Sequence, residues 1–325
     1  MSSSYVVGID TSNYTTSVSV ADETGEIIAN LKSPLPVEQG ACGLRQSDAV
    51  FAHIKNLPSL MQEVRQILRG ERPVAIGVSA RPRNVEGSYM PCFLAGVAAA
   101  ESAASTLGVP LYTFSHQCGH IRAAMYAAKK ADLLGKTFGA FHISGGTTEM
   151  LLVSPAENGF SVSCVGGTKD LNAGQAVDRI GVYLGLSFPC GVELEKLAAA
   201  YIEKNGRGAI PKRKVKAEDG YVHLSGLENL AKKLYEDTED KGLCAAFVLD
   251  YIASAVFAMG AALRQKYGSE LPILFAGGVM SNMLIQEKIK KEMKEVFFAT
   301  PAFSADNGAG IALLAREAHQ RAKTV

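Results

Sequence analysis

The sequence predicts a two-lobed α/β protein built by duplication, and three observations carry that expectation. The chain has 325 residues, about twice the length of a typical single domain. Short apolar strand-like runs alternate with segments of helical period along its whole length. A strand–turn–strand unit also occurs twice. Placing Ser12 on Ser144 puts Thr15 on Thr147 and Thr16 on Thr148, and it aligns Ile9 with Phe141, Val18 with Met150 and Val20 with Leu152.

The first copy of the unit runs from Tyr5–Ile9 through a polar turn, Asp10–Tyr14, into Thr16–Val20. Asp22–Gly25 reads as the next turn and Glu26–Leu31 as a third strand. Ser47–Leu68 has apolar residues at helical spacing, and Val74–Val78 reads as a buried strand. Pro91–Leu107 is a helix of small residues that Gly108 would cap. Leu111–Phe114 is a short strand, and His116–Ala128 is helical. The second copy follows as Phe138–Ile143, the turn Ser144–Thr148 and the return strand Met150–Val153. Helices are expected near Ala173–Leu184 and Val192–Lys204. The charged, Gly-containing stretch Asn205–Asp219 reads as an exposed insertion. Leu243–Tyr267 is a long apolar helix, Pro272–Ala276 a strand, Val296–Ala299 the last strand and Gly308–Lys323 the last helix.

Composition narrows the function classes. Hydrophobic residues make up 47%, which suits a sizeable core, and a net charge of +1 gives no global field for nucleic acid or anionic membrane. The six cysteines are dispersed with no CxxC pair, so neither a disulfide framework nor a cysteine zinc site is expected. No basic segment leads into an apolar run at the N-terminus. The apolar stretches are interrupted by Gly, Ser or charge before the ~20 residues of a membrane span. The expectation is a cytoplasmic protein with no membrane partner.

Three features can carry chemistry. In the turns Thr11–Thr15 and Ser144–Thr148, Ser12, Ser144, Gly145, Gly146 and Thr147 combine open backbone amides with hydroxyl donors, which suits a phosphate; tight hairpin turns of no further function read the same way. Gly277 and Gly278 follow a strand and precede a helix containing Ser281 and Asn282, a junction suited to a ribose or phosphate, or a plain loop. In His116-Gln117-Cys118-Gly119-His120 the two imidazoles lie four apart on one helix face and can reach one metal. Asp306, at the start of the last helix, is the natural third ligand. Two His and one carboxylate leave positions open for zinc or non-haem iron acting as a Lewis acid. Cys118 reads as core. No HExxH is present, which disfavours a thermolysin-like metalloprotease. Arg207, Lys212, Arg213, Lys214 and Lys216 form a local basic cluster that can meet RNA phosphates or simply be solvated.

These pieces, in this order, resemble the TsaD family, once called O-sialoglycoprotein endopeptidase. His116–His120 is similar to its paired-histidine motif and Ser144–Thr148 to its SGGHT loop. Gly167–Asp178 resembles its G-x-x-x-D-D-A-A-G-E-A-F-D segment, and Pro189-Cys190-Gly191 with Glu195 its PGG-x-x-x-E. Gly277-Gly278-Val279 with Asn282 resembles GGV-x-x-N, and Asp306-Asn307 its DN motif. The resemblance implies the duplicated actin/Hsp70/sugar-kinase-like (ASKHA) fold. The expected lobes are residues 1–128 plus the C-terminal helix 306–325, and residues 129–305, with a nucleotide and metal cleft between them. It also implies transfer of a threonylcarbamoyl group from its adenylate to an adenosine beside the anticodon of tRNA. By this carry-over, His116, His120 and Asp306 hold a divalent metal, iron or zinc. Ile143, Ser144, Gly145, Gly146 and Thr147 meet the phosphate or carbamate. Asp178, Gly191 and Glu195 hold the ribose of an ATP- or adenylate-type nucleotide, and Asn282 the adenosine side. Protein partners of a tRNA-modification complex are implied as well.

Two departures fall at the expected reaction centre. The first hairpin reads Ser12-Asn13-Tyr14-Thr15-Thr16 where the family has SCDET, and Thr147 stands where SGGHT has its histidine. The chain therefore reads as a divergent paralogue. The alternatives to tRNA modification are a carbamoyltransferase of the same fold with a small-molecule acceptor, a non-catalytic nucleotide-binding scaffold for a true family member, and a kinase or chaperone ATPase.

Overall fold

The computed structural model describes residues 4–12, 14–36, 44–156, 159–300, 303 and 308–324. The chain divides into two compact units, one of Met1–Lys129, Pro155–Ser161 and Ala302–Val325, the other of Lys130–Ser154 and Val162–Pro301.

The first unit contains β1 (Val6–Asp10), β2 (Thr15–Ala21), β3 (Ile27–Pro34), α1 (Gln46–Ile67), β4 (Ala75–Arg81), α2 (Phe93–Leu107), β5 (Leu111–Ser115), α3 (His116–Ala127) and the final helix of the chain, Ala309–Thr324. Its sheet has the order β3-β2-β1-β4-β5; β1 pairs antiparallel with β2 and parallel with β4. Both faces are covered, so β1 and β4 are buried almost throughout. Val7, Ile9, Val18, Val20, Ile76 and Val78 share one cluster with Leu57, Leu60 and Val64 of α1 and Ala100 of α2. Each such fully buried aliphatic side chain contributes about 1.5–3 kcal/mol. The alternate residues face the final helix. There Gly8 and Gly77 are register partners, and a Cβ on Gly8 would lie 2.5 Å from Gly308 O, while one on Gly77 would lie 2.6 Å from Ala315 Cβ. Two glycines side by side let that helix lie against bare backbone.

The second unit contains β6 (Phe138–Ile143), β7 (Thr148–Ala156), β8 (Gly159–Thr168, whose first residues fall in the first unit), α4 (Ala173–Tyr183), α5 (Gly191–Asn205), β9 (Tyr221–Val222), α6 (Ser225–Thr238), α7 (Lys241–Tyr267), β10 (Ile273–Ala276), α8 (Met283–Glu292) and β11 (Val296–Phe298). The final helix, Ala309–Thr324, is α9. The second sheet has the order β11-β10-β6-β7-β8-β9.

The two hairpins repeat in register. The pairs Val6↔Ala21, Ile9↔Val18 and Asp10↔Ser17 become Phe138↔Val153, Phe141↔Met150 and His142↔Glu149, a constant shift of 132 residues. Each first strand also takes a parallel partner on its other edge, β4 for β1 and β10 for β6. The duplication expected from the turn residues is thus present in the backbone pairing.

Several sequence expectations are corrected. α7 is long and apolar enough to cross a membrane by length and composition, so apolar stretches do reach span length. It is nonetheless the core helix of its unit: Phe247, Val248, Ile252, Val256, Met259 and Leu263 are buried with Phe141, Ile273 and Phe275. β8 and α6 were not anticipated. The helix after Gly277 begins at Met283 rather than before Ser281, because Gly278–Ser281 forms a single 3₁₀ turn and Asn282 caps α8. The insertion 205–219 is mostly exposed, yet Ile210 within it is buried in the core of this unit.

Candidate active site

In the first unit, β5 runs directly into α3. Ser115 caps the helix, its hydroxyl accepting a hydrogen bond from the Cys118 N–H at 3.3 Å. That start fixes His116 and, one turn on, His120; their ring centroids lie 4.2 Å apart with the planes at 73°. The intervening Gly119 is required by packing: a Cβ there would meet Ile311 Cδ1 at 2.9 Å, and one on Gly310 would meet Gly119 C at 2.7 Å. α9 therefore crosses α3 between the two histidines. Asp306 and Asn307 lie outside the described residues. Among the described residues no three His, Cys, Asp or Glu side chains form a cluster able to hold a metal.

The residue the sequence reading overlooked is Asp10. It ends β1, is fully buried, and accepts from Ser12 Oγ at 2.7 Å and from Ser79 Oγ. His116 Nδ1 stands 3.2 Å from its carboxylate. The available signal was an acid closing an apolar strand immediately before Thr11-Ser12. Ser12 itself is buried, as are Thr11, which donates to Cys92 O at 3.0 Å, and Thr16, paired with His53 Nδ1 at 2.8 Å. The hydroxyls of Thr11, Ser12 and Thr16 are therefore engaged within the protein. Asn13 lies outside the described residues, and Tyr14 is exposed. Cys118 is buried, as expected, and burial pushes its thiol up.

In the second unit, the turn 144–148 is held from two sides. The Gly174 N–H donates to Ser144 O at 3.3 Å, Asn172 Nδ2 to Gly146 O at 2.9 Å, and the Ala173 N–H to Thr148 Oγ1 at 2.9 Å. On the other side Gly277, at φ +100°, packs so closely on Ile143 that a Cβ would overlap its carbonyl. The turn thus lies between the N-terminus of α4 and the Gly277–Gly278 junction. Gly145 and Gly146 are exposed, and among the described residues no atom beyond their own chain neighbours lies within 4 Å of where their Cβ atoms would sit.

The remaining predicted residues are chained together. Asp178 Oδ1 accepts from the Cys190 N–H at 2.8 Å, which fixes Gly191 at the start of α5. One turn later Glu195 Oε1 accepts from the Met283 N–H at 2.6 Å. Asn282 precedes Met283, and its Oδ1 accepts from the Ile285 N–H at 3.0 Å. Asp178, Gly191, Glu195 and Asn282 thus form one connected group, in which the side chains of Asp178, Glu195 and Asn282 each spend one polar atom on positioning and carry a second.

The family profile described as "tRNA N6-adenosine threonylcarbamoyltransferase", TsaD, matches residues 41–313. The chain belongs to the TsaD family. A Thermus thermophilus protein named tRNA N6-adenosine threonylcarbamoyltransferase is 32% identical over 323 residues, covering 98% of this chain and 94% of that protein. A Streptococcus pneumoniae protein of the same name is 27% identical over 316 residues, covering 93% and 88%. Among solved structures, full-length HypF in a phosphate- and nucleotide-bound form superposes with a TM-score of 0.60 at 12% identity, over 97% of this chain and 46% of that one. Component A of the Acidaminococcus fermentans (R)-2-hydroxyglutaryl-CoA dehydratase gives 0.51 at 14%, over 97% and 98%. These likenesses show the ASKHA fold. Thr147 and Thr15 are half-buried and Tyr14 is exposed.

Proposed function

We propose that this TsaD-family protein is a metal-dependent transferase that moves a threonylcarbamoyl or related carbamoyl group from an adenylate to adenosine in tRNA. One observation carries the reading: His116 and His120 stand with ring centroids 4.2 Å apart in a chain that matches tRNA N6-adenosine threonylcarbamoyltransferases along nearly its whole length.

The residues fit a divalent metal. Two imidazoles, one backed by a buried carboxylate, suit zinc or iron(II), with Asp306 as third ligand. A metal held there would act as a Lewis acid on the carbamoyl carbonyl. The amides of the exposed residues Gly145 and Gly146 would donate to the phosphate or to the charge that develops on transfer, and Ser144 and Thr147 would add hydroxyl donors. Asp178, Gly191 and Glu195 would hold the ribose hydroxyls, with Asn282 and Gly278 on the adenosine side. Ser12 would act through Asp10. Exposed Lys212, Arg213, Lys214 and Lys216 offer cations to tRNA phosphates. The reading extends to protein partners of a tRNA-modification complex and to a cytoplasmic location.

The altered first hairpin motivates a second reading, a carbamoyltransferase with a small-molecule acceptor. A third is a nucleotide-binding scaffold for a catalytic family member.

The test is the metal content of the purified protein beside His116→Ala and Asp306→Ala variants, followed by tRNA modification assays with an adenylate donor. Near-stoichiometric metal lost in both variants, with modified adenosine in tRNA, supports the first reading. Metal with turnover of carbamoyl adenylate but no RNA product selects the second. A wild type without metal after anaerobic reconstitution with iron or zinc sinks both and leaves the scaffold.

A further inference from the structure

We infer that Asp10 is a positioning residue of the metal centre: it holds His116 through Nδ1, so that Nε2 is the nitrogen His116 presents to the metal, and Ser12 and Ser79 hold Asp10. The inference rests on the metal reading above and assigns it an atom and a supporting shell.

The geometry is specific. Asp10 closes β1 and is completely buried. Its two oxygens take hydroxyls from different elements, Oδ1 from Ser79 of β4 and Oδ2 from Ser12 at 2.7 Å. Ser17 on β2 donates to the Asp10 backbone carbonyl at 3.3 Å. Two hydroxyls thereby fix the carboxylate, and a third fixes the backbone that carries it, before His116 meets it.

His116 is fixed in turn. It opens α3 behind the Ser115 cap, its ring meets Phe93 edge-on at 6.1 Å, and its Nδ1 lies 3.2 Å from Oδ1 and from Oδ2. A bare Nδ1 would set its lone pair against two carboxylate oxygens. The stable arrangement puts the proton on Nδ1, donating to Asp10, and leaves the lone pair on Nε2. The same contact removes the ring's freedom to rotate, as an outer carboxylate does for a metal-bound histidine. The two residues are 106 apart in sequence, so no local motif reveals the pair.

The test uses the full-length protein, metal-free and then titrated with zinc. In the metal-free wild type, ¹⁵N spectra of histidine-labelled protein should show His116 with Nδ1 protonated and Nε2 bare, and zinc should move the Nε2 signal. Asp10→Asn should lower zinc affinity about 10–100-fold, read by competition with a chromogenic chelator, while circular dichroism shows an unchanged fold. A merely structural Asp10 would lower the melting temperature and leave the affinity of the folded fraction unchanged; that result overturns the inference. A wild-type spectrum with Nδ1 bare also overturns it, and needs no variant to fold. Ser12→Ala with Ser79→Ala, which keeps both the carboxylate and the imidazole, should show a smaller loss of affinity, and unchanged affinity there counts against the serines. A wild type that binds neither zinc nor iron sinks the metal reading itself, whereas binding that survives Asp10→Asn intact sinks this inference alone.

Discussion

Glu195 accepts a hydrogen bond from the backbone N–H of Met283 at 2.6 Å, across 88 residues of sequence. The contact ties the second turn of α5 to the first residue of α8, so two segments proposed to hold one nucleoside are set by a single side chain. Glu195→Ala removes the acceptor. Met283 is exposed and its N–H can turn to water, so the expected loss is about 1 kcal/mol, a fall of a few degrees in melting temperature. Glu195→Gln keeps an oxygen acceptor and should melt near the wild type. Calorimetry on the two variants separates them.

The crossing of α3 and α9 has no room for a methyl group. At Gly310 a Cβ would lie 2.7 Å from Gly119 C and 3.0 Å from Ala123 N, both backbone atoms that cannot rotate away. Gly310→Ala must push the helices apart, at about 1–3 kcal/mol. Gly119 sits between His116 and His120, so the same variant should also weaken metal binding. Denaturant unfolding and zinc titration check the two effects. Wild-type values for both would show that the helices can separate without disturbing the histidines.

Arg122 of α3 and Glu317 of α9 add a second tie between the same helices. Arg122 Nε donates to Glu317 Oε1 at 2.8 Å, with side chains only 5% and 11% exposed. Removing one partner leaves a buried charge, so Glu317→Ala should cost about 3–5 kcal/mol. Replacing both, as Arg122→Met with Glu317→Leu, should cost much less. A double-mutant cycle by chemical unfolding measures the difference.

The parts of this fold legible in the sequence are those set by local pattern. The two hairpins were readable because an apolar run, a polar turn and a return strand recur with Ile9 opposite Val18 and Phe141 opposite Met150, and the register bears this out. Tertiary demands were not readable. β8 is half-exposed and carries three glycines and two serines among its ten residues, so no long apolar run marks it. α6 did carry a signal, Leu227, Leu230, Ala231 and Leu234 at helical spacing, but a charged surround masked it. At the candidate site, the motifs named His116, Glu195 and Asn282 as candidates. They were silent on Asp10, whose part depends on a partner 106 residues away. They also favoured an outward Ser12, whereas its hydroxyl is turned in to Asp10.

Asp170 offers the clearest pH dependence. It stands in the segment that resembles a family acid motif, yet its carboxylate is occupied as a staple. Oδ1 accepts from the N–H groups of Leu171 at 2.7 Å and Leu224 at 2.9 Å; Oδ2 accepts from Ser225 Oγ at 2.6 Å and the Ser225 N–H at 3.1 Å. Partial burial alone pushes this carboxyl up. The hydrogen bonds from Ser225, Leu224 and Leu171 outweigh it and hold the group far below its ordinary value of 3.8. Between the folded and unfolded values the unfolded chain binds more protons, so stability rises with pH in that window. The contribution is therefore complete above about pH 4 to 5 and is lost as pH falls below that range toward the lower folded value. Asp170→Asn cannot ionise and accepts through one oxygen only, so it should lose about 1–3 kcal/mol at neutral pH. Its unfolding free energy should also fall less steeply than that of the wild type between pH 5 and about pH 2. Denaturant unfolding at a series of pH values reads both effects. Parallel curves for the two proteins would mean that the junction of β9 and α6 is held by other contacts.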